Sequence, residues 1–466
     1  MWVAAQADRP ELVRSFVRKT VRYSLSSIAG VVLSGFVVVA WSSSPLSQGT
    51  GTAQGGTIDW DHLLQERRYL ELDRALSSKS NLTGLDRAFF EGVMANRRNR
   101  VAESIKMLEP LVSSLSSTNK DRAVIALSTL ADDYEKTFRY SDAADTYGEL
   151  EKRFGSSMDD QERQRASREA ARWSLLRGAP PQSAEVKVPF NVPITINKVG
   201  LLEVSAELGR FHESLILDTG ANLSAISFSL AQRLGLKLSS SAATSSGVAG
   251  RRMAVHTAVI PELRLGDARL RNVAVIVVGD KDLIVPELHY RIPGSIGFPV
   301  LSALGRITFF ADGRLGVGEA AGSSGGEENL FLQRLTPIVA AIVAAEVGGT
   351  ERLFTIDTGA VGSFFTVQYY LEHKSDFTSQ RIGNFDLAGA GGVRRYPAYF
   401  AGKLNMKIGG ACVAVNELPI ITQARGSSDE KFYGNVGQSI LRQFKSYTFD
   451  FQNMSFSADG DTCKQK

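Results

Sequence analysis

Two stretches of this chain carry the same motif, each followed at nearly the same distance by the same second motif. One apolar run ends in Asp218-Thr219-Gly220-Ala221 and another in Asp357-Thr358-Gly359-Ala360. After the first, Ser295-Ile296-Gly297 leads into Phe-Pro-Val-Leu301 and on to Thr308-Phe309. After the second, Asn435-Val436-Gly437 leads into Gln-Ser-Ile-Leu441 and on to Thr448-Phe449. Asp and downstream Gly are 79 residues apart in one copy and 80 in the other, so the chain holds an internal repeat offset by about 140 residues. A repeat present twice predicts two similar lobes rather than a solenoid.

A carboxylate at the end of a buried strand is costly unless something uses it. Two such carboxylates brought face to face share a proton, so that one serves as base and the other as acid. Asp218 and Asp357 are therefore the candidate catalytic pair, holding a water between them and titrating together. Thr219 and Thr358 offer hydroxyls to fix the two loops against each other. Gly220 and Gly359 let the backbone turn tightly beneath the carboxylates. The plainer alternative is that each Asp only caps a turn.

Over residues 185 to 460 this arrangement resembles the aspartic protease superfamily, in which each lobe supplies an Asp-Thr-Gly loop and an apolar-apolar-Gly segment that supports it from behind. Ile296-Gly297 and Val436-Gly437 match that second element. The Ala after each Asp-Thr-Gly and the short lobes are more similar to retropepsins, here as a single chain of the bacterial retropepsin-like sort. The resemblance implies a mainly β, bilobal fold and an aspartic endopeptidase that cleaves a peptide or protein substrate without a cofactor or metal. It also implies a flap in each lobe. Two Gly-rich segments, one with Gly247 and Gly250 and one with Gly389, Gly391 and Gly392, stand where those flaps fall, each followed by an alternating stretch that suits a β-hairpin. An ordinary surface hairpin is the alternative. Tyr396 and Tyr399 are the aromatic residues near the second segment, and the first has no Tyr there.

The lobes fill residues 185–318 and 329–461, with a Gly/Ser-rich linker at 319–328. Ahead of them, residues 58–178 change character: helix formers dominate, and apolar residues recur at three- and four-residue spacings. Leu127, Leu130, Ala131 and Tyr134, then Tyr140, Ala143-Ala144, Tyr147, Leu150 and Phe154, predict two antiparallel helices similar to a tetratricopeptide unit. Gly92 through Leu108 is a weaker preceding copy. Such a region is either a spacer or a surface for a protein partner. The chain is thus multidomain, with an α-helical N-terminal region before the β lobes.

The first 22 residues carry five basic side chains against Asp8 and Glu11, and no further charge appears before Asp59. The 19 residues from Tyr23 to Trp41 are long enough to span a bilayer. The basic flank predicts a cytoplasmic N-terminus and an exported remainder, as an anchor or a signal, followed by a linker at 42–57. The expectation is a membrane-anchored protein with its catalytic part outside the cytoplasm. Cys412 and Cys463 are the only cysteines, and an exported chain can pair them or leave both free. Five scattered His residues form no metal-ligand spacing, and a net charge of +4 over 466 residues excludes a nucleic-acid footprint. Two rivals remain at this level: a non-catalytic peptide-binding module, and an adaptor acting through its helices.

Overall fold

The helices of the N-terminal region start where the sequence supplies caps. Asp59, Asn119 and Asp159 each accept a hydrogen bond from the backbone N–H three residues on, which satisfies one orphan donor per helix. The computed structural model describes residues 58–463 apart from 79–81, 83, 247–251, 287–288, 319–327, 336–337, 378–381, 390–391 and 426–429. The expected basic segment, apolar stretch 23–41 and linker 42–57 lie outside the described residues, as does nearly all of the linker at 319–328. Among the described residues, no helix is long and apolar enough to cross a membrane.

The helices run Trp60–Gln65, Tyr69–Ser77, Gly84–Arg97, Val101–Leu108, Val112–Thr118, Lys120–Lys136, Tyr140–Phe154 and Asp160–Ser174. Lys120–Lys136 and Tyr140–Phe154 are the helix pair read from the apolar spacing, and the turn between them places Phe138 at φ 60°. Gly92 lets Gly84–Arg97 cross close to the next helix: a Cβ there would lie 2.8 Å from Leu108 Cδ2.

From Ser183 onward the chain is mostly β, beginning slightly ahead of the expected boundary. A 13-stranded sheet holds most strands of the first repeat together with Ser446–Asp450 and Ser455–Asp459 from the second, Ile284–Val285 and Tyr290–Arg291 pair as a separate two-stranded sheet, and a 10-stranded sheet holds the rest. Alternation sets the inner face: Leu202, Val204, Ala206 and Leu208 of strand Leu202–Leu208 are all buried. The two repeats meet in the larger sheet, where Arg306–Phe310 pairs antiparallel with Ser446–Asp450. Thr308 lies opposite its repeat counterpart Thr448, with their hydroxyls 2.9 Å apart, and Phe309 stacks on Tyr447 at 4.7 Å. Equivalent residues paired face to face are the signature of an approximate two-fold between the repeats.

The helical region packs on the sheets and does not stand apart as a spacer. In strand Leu330–Leu335, Leu330 and Leu332 point into the sheet core, while Phe331 and Leu335 join the helical core. Period-two alternation thus gives this strand two apolar faces and two partners. Arg98 reaches from the helices to the carbonyls of Glu328 and Leu330 at 2.7 and 3.1 Å. Arg334 is buried against Glu135 and Glu169 and lies 5.1 Å over the Trp173 ring.

Candidate active site

Each candidate Asp sits at the end of a strand held by a parallel neighbour from its own repeat. Strand Phe211–Leu217 pairs with Ser295–Ile296, and Thr350–Ile356 pairs with Gly434–Val436. The last rung of each is the Asp itself: Asp218 N–H donates to Ile296 O at 3.0 Å, and Asp357 N–H to Val436 O at 3.0 Å. The apolar-apolar-Gly segments are therefore the backing of the two loops.

The glycines in those segments leave room for a loop pressed against them. A Cβ on Gly297 would come within 2.6 Å of the Leu223 backbone, and one on Gly437 within 2.6 Å of the Gly362 carbonyl oxygen. Two serines that the sequence reading passed over complete the support. Gly297 N–H donates to Ser224 Oγ at 3.0 Å, and Gly437 N–H to Ser363 Oγ at 2.9 Å. Each serine stands six residues past its Asp, so the repeat itself carried the signal. Gln438 was also missed. Its Nε2 donates to Thr358 O at 2.9 Å, and Phe298 holds the matching place in the first repeat.

The two threonines lock the loops together from opposite sides. Thr219 N–H donates to Thr358 Oγ1 at 3.0 Å, and Thr358 N–H to Thr219 Oγ1 at 3.1 Å. Thr358 Oγ1 donates in turn to Leu217 O at 2.8 Å. Both threonines are fully buried. Hydrogen bonds of this kind are hard to break singly, because each leaves a buried partner unsatisfied.

With the loops locked, each carboxyl group lies over the glycine of the opposite loop. A Cβ on Gly359 would sit 2.5 Å from Asp218 Cγ, and one on Gly220 would sit 2.9 Å from Asp357 Cγ. Only a residue without a side chain fits either place. Gly220 N–H donates to Asp218 Oδ1 at 3.0 Å, and Gly359 N–H to Asp357 Oδ1 at 2.8 Å. Both Asp residues keep an accessible edge while protein surrounds the rest. Burial pushes Asp218 up to about 8, with the charge of Asp357 adding to it and the N–H groups of Gly220 and Ala221 opposing. Burial pushes Asp357 up as well, against the N–H of Gly359. Two carboxyls so placed hold one proton between them and titrate as a pair.

Residues 204–300 match the family model for aspartyl proteases. The matched stretch begins within strand Leu202–Leu208 and covers the Asp218 loop and Ile296-Gly297. No curated protein sequence matches the chain. The match supports an aspartic peptidase, and the mostly β structure with a helical N-terminal region is consistent with an aspartyl protease fold.

Of the other candidates, several lie outside the described residues. Gly389 and Gly392 face each other at the end of the hairpin formed by Gly383–Gly389 and Gly392–Ala401. Strands Ala243–Ser246 and Arg252–Leu265 form the matching hairpin in the first repeat. Gly247, Gly250 and Gly391 lie outside the described residues. Tyr396 and Tyr399 are not free at a hairpin tip. Tyr396 is buried beside Phe364 and Ile421, and Tyr399 stacks on Phe377 at 5.3 Å. Cys412 and Cys463 form a disulfide with a Cα–Cα distance of 5.6 Å, which resolves the two alternatives left open by the sequence. The tail also bonds directly to the sheet, Thr462 N–H donating to Cys412 O at 2.9 Å.

Proposed function

We propose that this protein is an aspartic endopeptidase of two retropepsin-like lobes, with Asp218 and Asp357 as its catalytic pair. The observation that carries this reading is the crossing of each carboxyl over the opposite glycine, which leaves two carboxyl groups and one proton at a shared point. The ionised member takes a proton from the bound water as its oxygen attacks the peptide carbonyl carbon. The protonated member donates to the carbonyl oxygen, and the resulting gem-diol collapses as a proton passes to the leaving nitrogen. The C–N bond breaks, a carboxylic acid and an amine leave, and no covalent enzyme intermediate forms. In this reading the hairpins of Ala243–Ser246 with Arg252–Leu265 and of Gly383–Gly389 with Gly392–Ala401 are the flaps.

The apolar stretch Tyr23–Trp41 and its basic flank support a membrane-anchored protein whose catalytic part lies outside the cytoplasm. The disulfide supports the same location, because such bonds persist in oxidising compartments. The close helix crossing at Gly92 supports a tetratricopeptide-like reading of the helical region.

Asp218→Asn and Asp357→Asn test the pair. Each single change should abolish cleavage of a peptide mixture while leaving the fold, followed by circular dichroism, intact. Cleavage surviving in either variant defeats the shared mechanism. Wild-type protein that binds peptides yet cuts none between acid and neutral pH turns the reading towards a binding module.

A further inference from the structure

The two catalytic loops match, but the residues behind them do not. The repeat sets Phe298 against Gln438 and Ile307 against Tyr447, so the first copy is apolar at two places where the second is polar. All four side chains are buried. Phe298 turns to the Phe451 ring, with the centroids 5.3 Å apart. Gln438 turns to the second loop, and its Nε2 lies 2.9 Å from Thr358 O. A carbonyl oxygen only accepts, so this contact fixes which end of the amide faces the loop.

Burying an amide where the other copy buries a phenyl ring is costly. Gln438 Oε1 and the Tyr447 hydroxyl are both buried without a hydrogen-bond partner among the described residues. The bond from Gln438 to the loop is what offsets that cost, and it reaches the catalytic pair through a single peptide group. The Thr358 carbonyl and the Gly359 N–H belong to one amide, and that N–H donates to Asp357 Oδ1 at 2.8 Å. An amide whose oxygen accepts a hydrogen bond is polarised into a stronger N–H donor, and a stronger donor favours the carboxylate over the acid. In the first copy the Gly220 N–H donates to Asp218 Oδ1 at 3.0 Å, but among the described residues no donor reaches the Thr219 carbonyl.

The other groups facing the pair do not reverse this difference. Asp218 faces the N–H groups of Gly220 and Ala221, Asp357 faces those of Gly359 and Gly220, and the titratable group facing each is the other carboxyl. Burial raises both. The charge of Asp357 raises Asp218 further, whereas the hydrogen bond from Asp218 opposes the rise at Asp357. Tyr447, beside the amide, is pushed well up by burial, against Gln438 and Arg442, so it stays neutral while the pair titrates.

We propose that Gln438 is a positioning residue that makes the pair unequal, holding the charge on Asp357 and leaving the shared proton on Asp218. This rests on the aspartic-peptidase reading and gives each carboxyl a role in it. Asp357 takes a proton from the water as the water oxygen bonds to the peptide carbonyl carbon, and Asp218 passes its proton to the carbonyl oxygen. Collapse of the gem-diol reverses both transfers. Asp357 gives its proton to the leaving nitrogen, Asp218 takes one from a gem-diol hydroxyl, the C–N bond breaks and the starting charge state returns.

Gln438→Met removes the donor and keeps the bulk. In full-length protein labelled with carbon-13 at the Asp carboxyls, Asp357 is followed alone in an Asp218→Asn background, and Asp218 alone in an Asp357→Asn background. Adding Gln438→Met should raise the Asp357 titration by roughly half a pH unit, about a threefold change in proton affinity, the scale on which one partner strengthens a charge-assisted hydrogen bond. Asp218 should move less than half as far. With both Asp residues intact, the acidic limb of kcat/KM should shift upward by a similar amount. Equal shifts at the two carboxyls, no shift at Asp357, or a fall in kcat/KM at every pH with the limb unmoved overturns the proposal, the last leaving Gln438 a purely structural part. Gln438→Leu repeats the comparison if the methionine disturbs folding. Wild-type protein that cuts no peptide overturns the peptidase reading instead, while the carboxyl titrations still decide what Gln438 does to Asp357.

Discussion

Replacing Arg334 with Met tests whether the helices and the second repeat form one cooperative body. Arg334 projects from strand Leu330–Leu335 into a cluster with Glu135, Glu169 and Arg172, whose side chains are 7%, 0% and 4% exposed, against 5% for Arg334 itself. Two positive and two negative charges balance there. Burial holds the Arg334 guanidinium down at about 10, and burial also pushes the Glu169 carboxyl up, with Arg172 opposing. Arg334→Met keeps the volume but leaves an uncompensated carboxylate, and breaking a buried pair from one side costs about 3–5 kcal/mol. Urea unfolding measures this directly. Of the four tryptophans, Trp60 and Trp173 lie in the helical region and Trp2 and Trp41 ahead of it, so the change in fluorescence on adding urea, measured against a Trp2→Phe, Trp41→Phe background, follows the helices, while far-ultraviolet dichroism near the β minimum follows the sheets. The two signals should move together to lower urea at neutral pH. Adding Glu135→Gln should recover part of the loss, because it removes a charge that the first change stranded. A loss under about 1 kcal/mol, or two separate transitions, would refute a shared desolvated core, since exposed ion pairs are worth no more than that.

Three further outcomes follow from the site and the tail. Gly359→Ala places a methyl group 2.5 Å from Asp218 Cγ and should lower kcat/KM at least about 100-fold by displacing that carboxyl; activity within a few-fold of wild type contradicts the crossing geometry. The Asp218/Asp357 pair holds its shared proton more tightly in the folded protein than in the unfolded chain, because burial raises both carboxyls, so above the ordinary carboxylate range stability falls as pH rises. Asp218→Asn should therefore be more stable than wild type at neutral pH, with the gap closing as pH drops towards about 4, and wild-type kcat/KM should decline once pH rises far enough to strip the shared proton; a gap unchanged across that range contradicts the raised titration. Cys463→Ser opens a cross-link spanning 51 residues and should cost up to about 4 kcal/mol in chain entropy, read as a lowered urea midpoint that reducing agent produces in wild type but not in the variant.

The Asp-Thr-Gly loops and their Gly backings were legible because the chemistry needs the same residues twice, and a repeat doubles every local signal. Ser224 and Ser363 were legible by the same rule and overlooked, since serine in a loop has many ordinary uses. The docking of the helices was not legible. Arg334 reads as one charge in an apolar strand, and nothing in sequence ties it to Glu135 and Glu169 far upstream. Pairings at such separations follow from how the elements stack, which apolar periodicity does not encode. The cysteine pair stayed open for the same reason, because a disulfide depends on a distance that only the folded tail supplies.

The two repeats differ most where catalysis asks least of them. Asp, Thr, Gly and the supporting Ser agree in both copies, and the lock of Thr219 on Thr358 requires that agreement. Asn222 stands against Val361, and Phe298 against Gln438, in otherwise matching places. In a site made from two identical chains each of these residues would appear in both copies. A single chain is free of that constraint, so one copy carries a buried amide where the other carries an exposed valine. Sharing one proton between two carboxyls needs the two loops alike, whereas the residues around them are under no such demand. Joining the copies in one chain lets the two loops stay matched while the residues around them diverge.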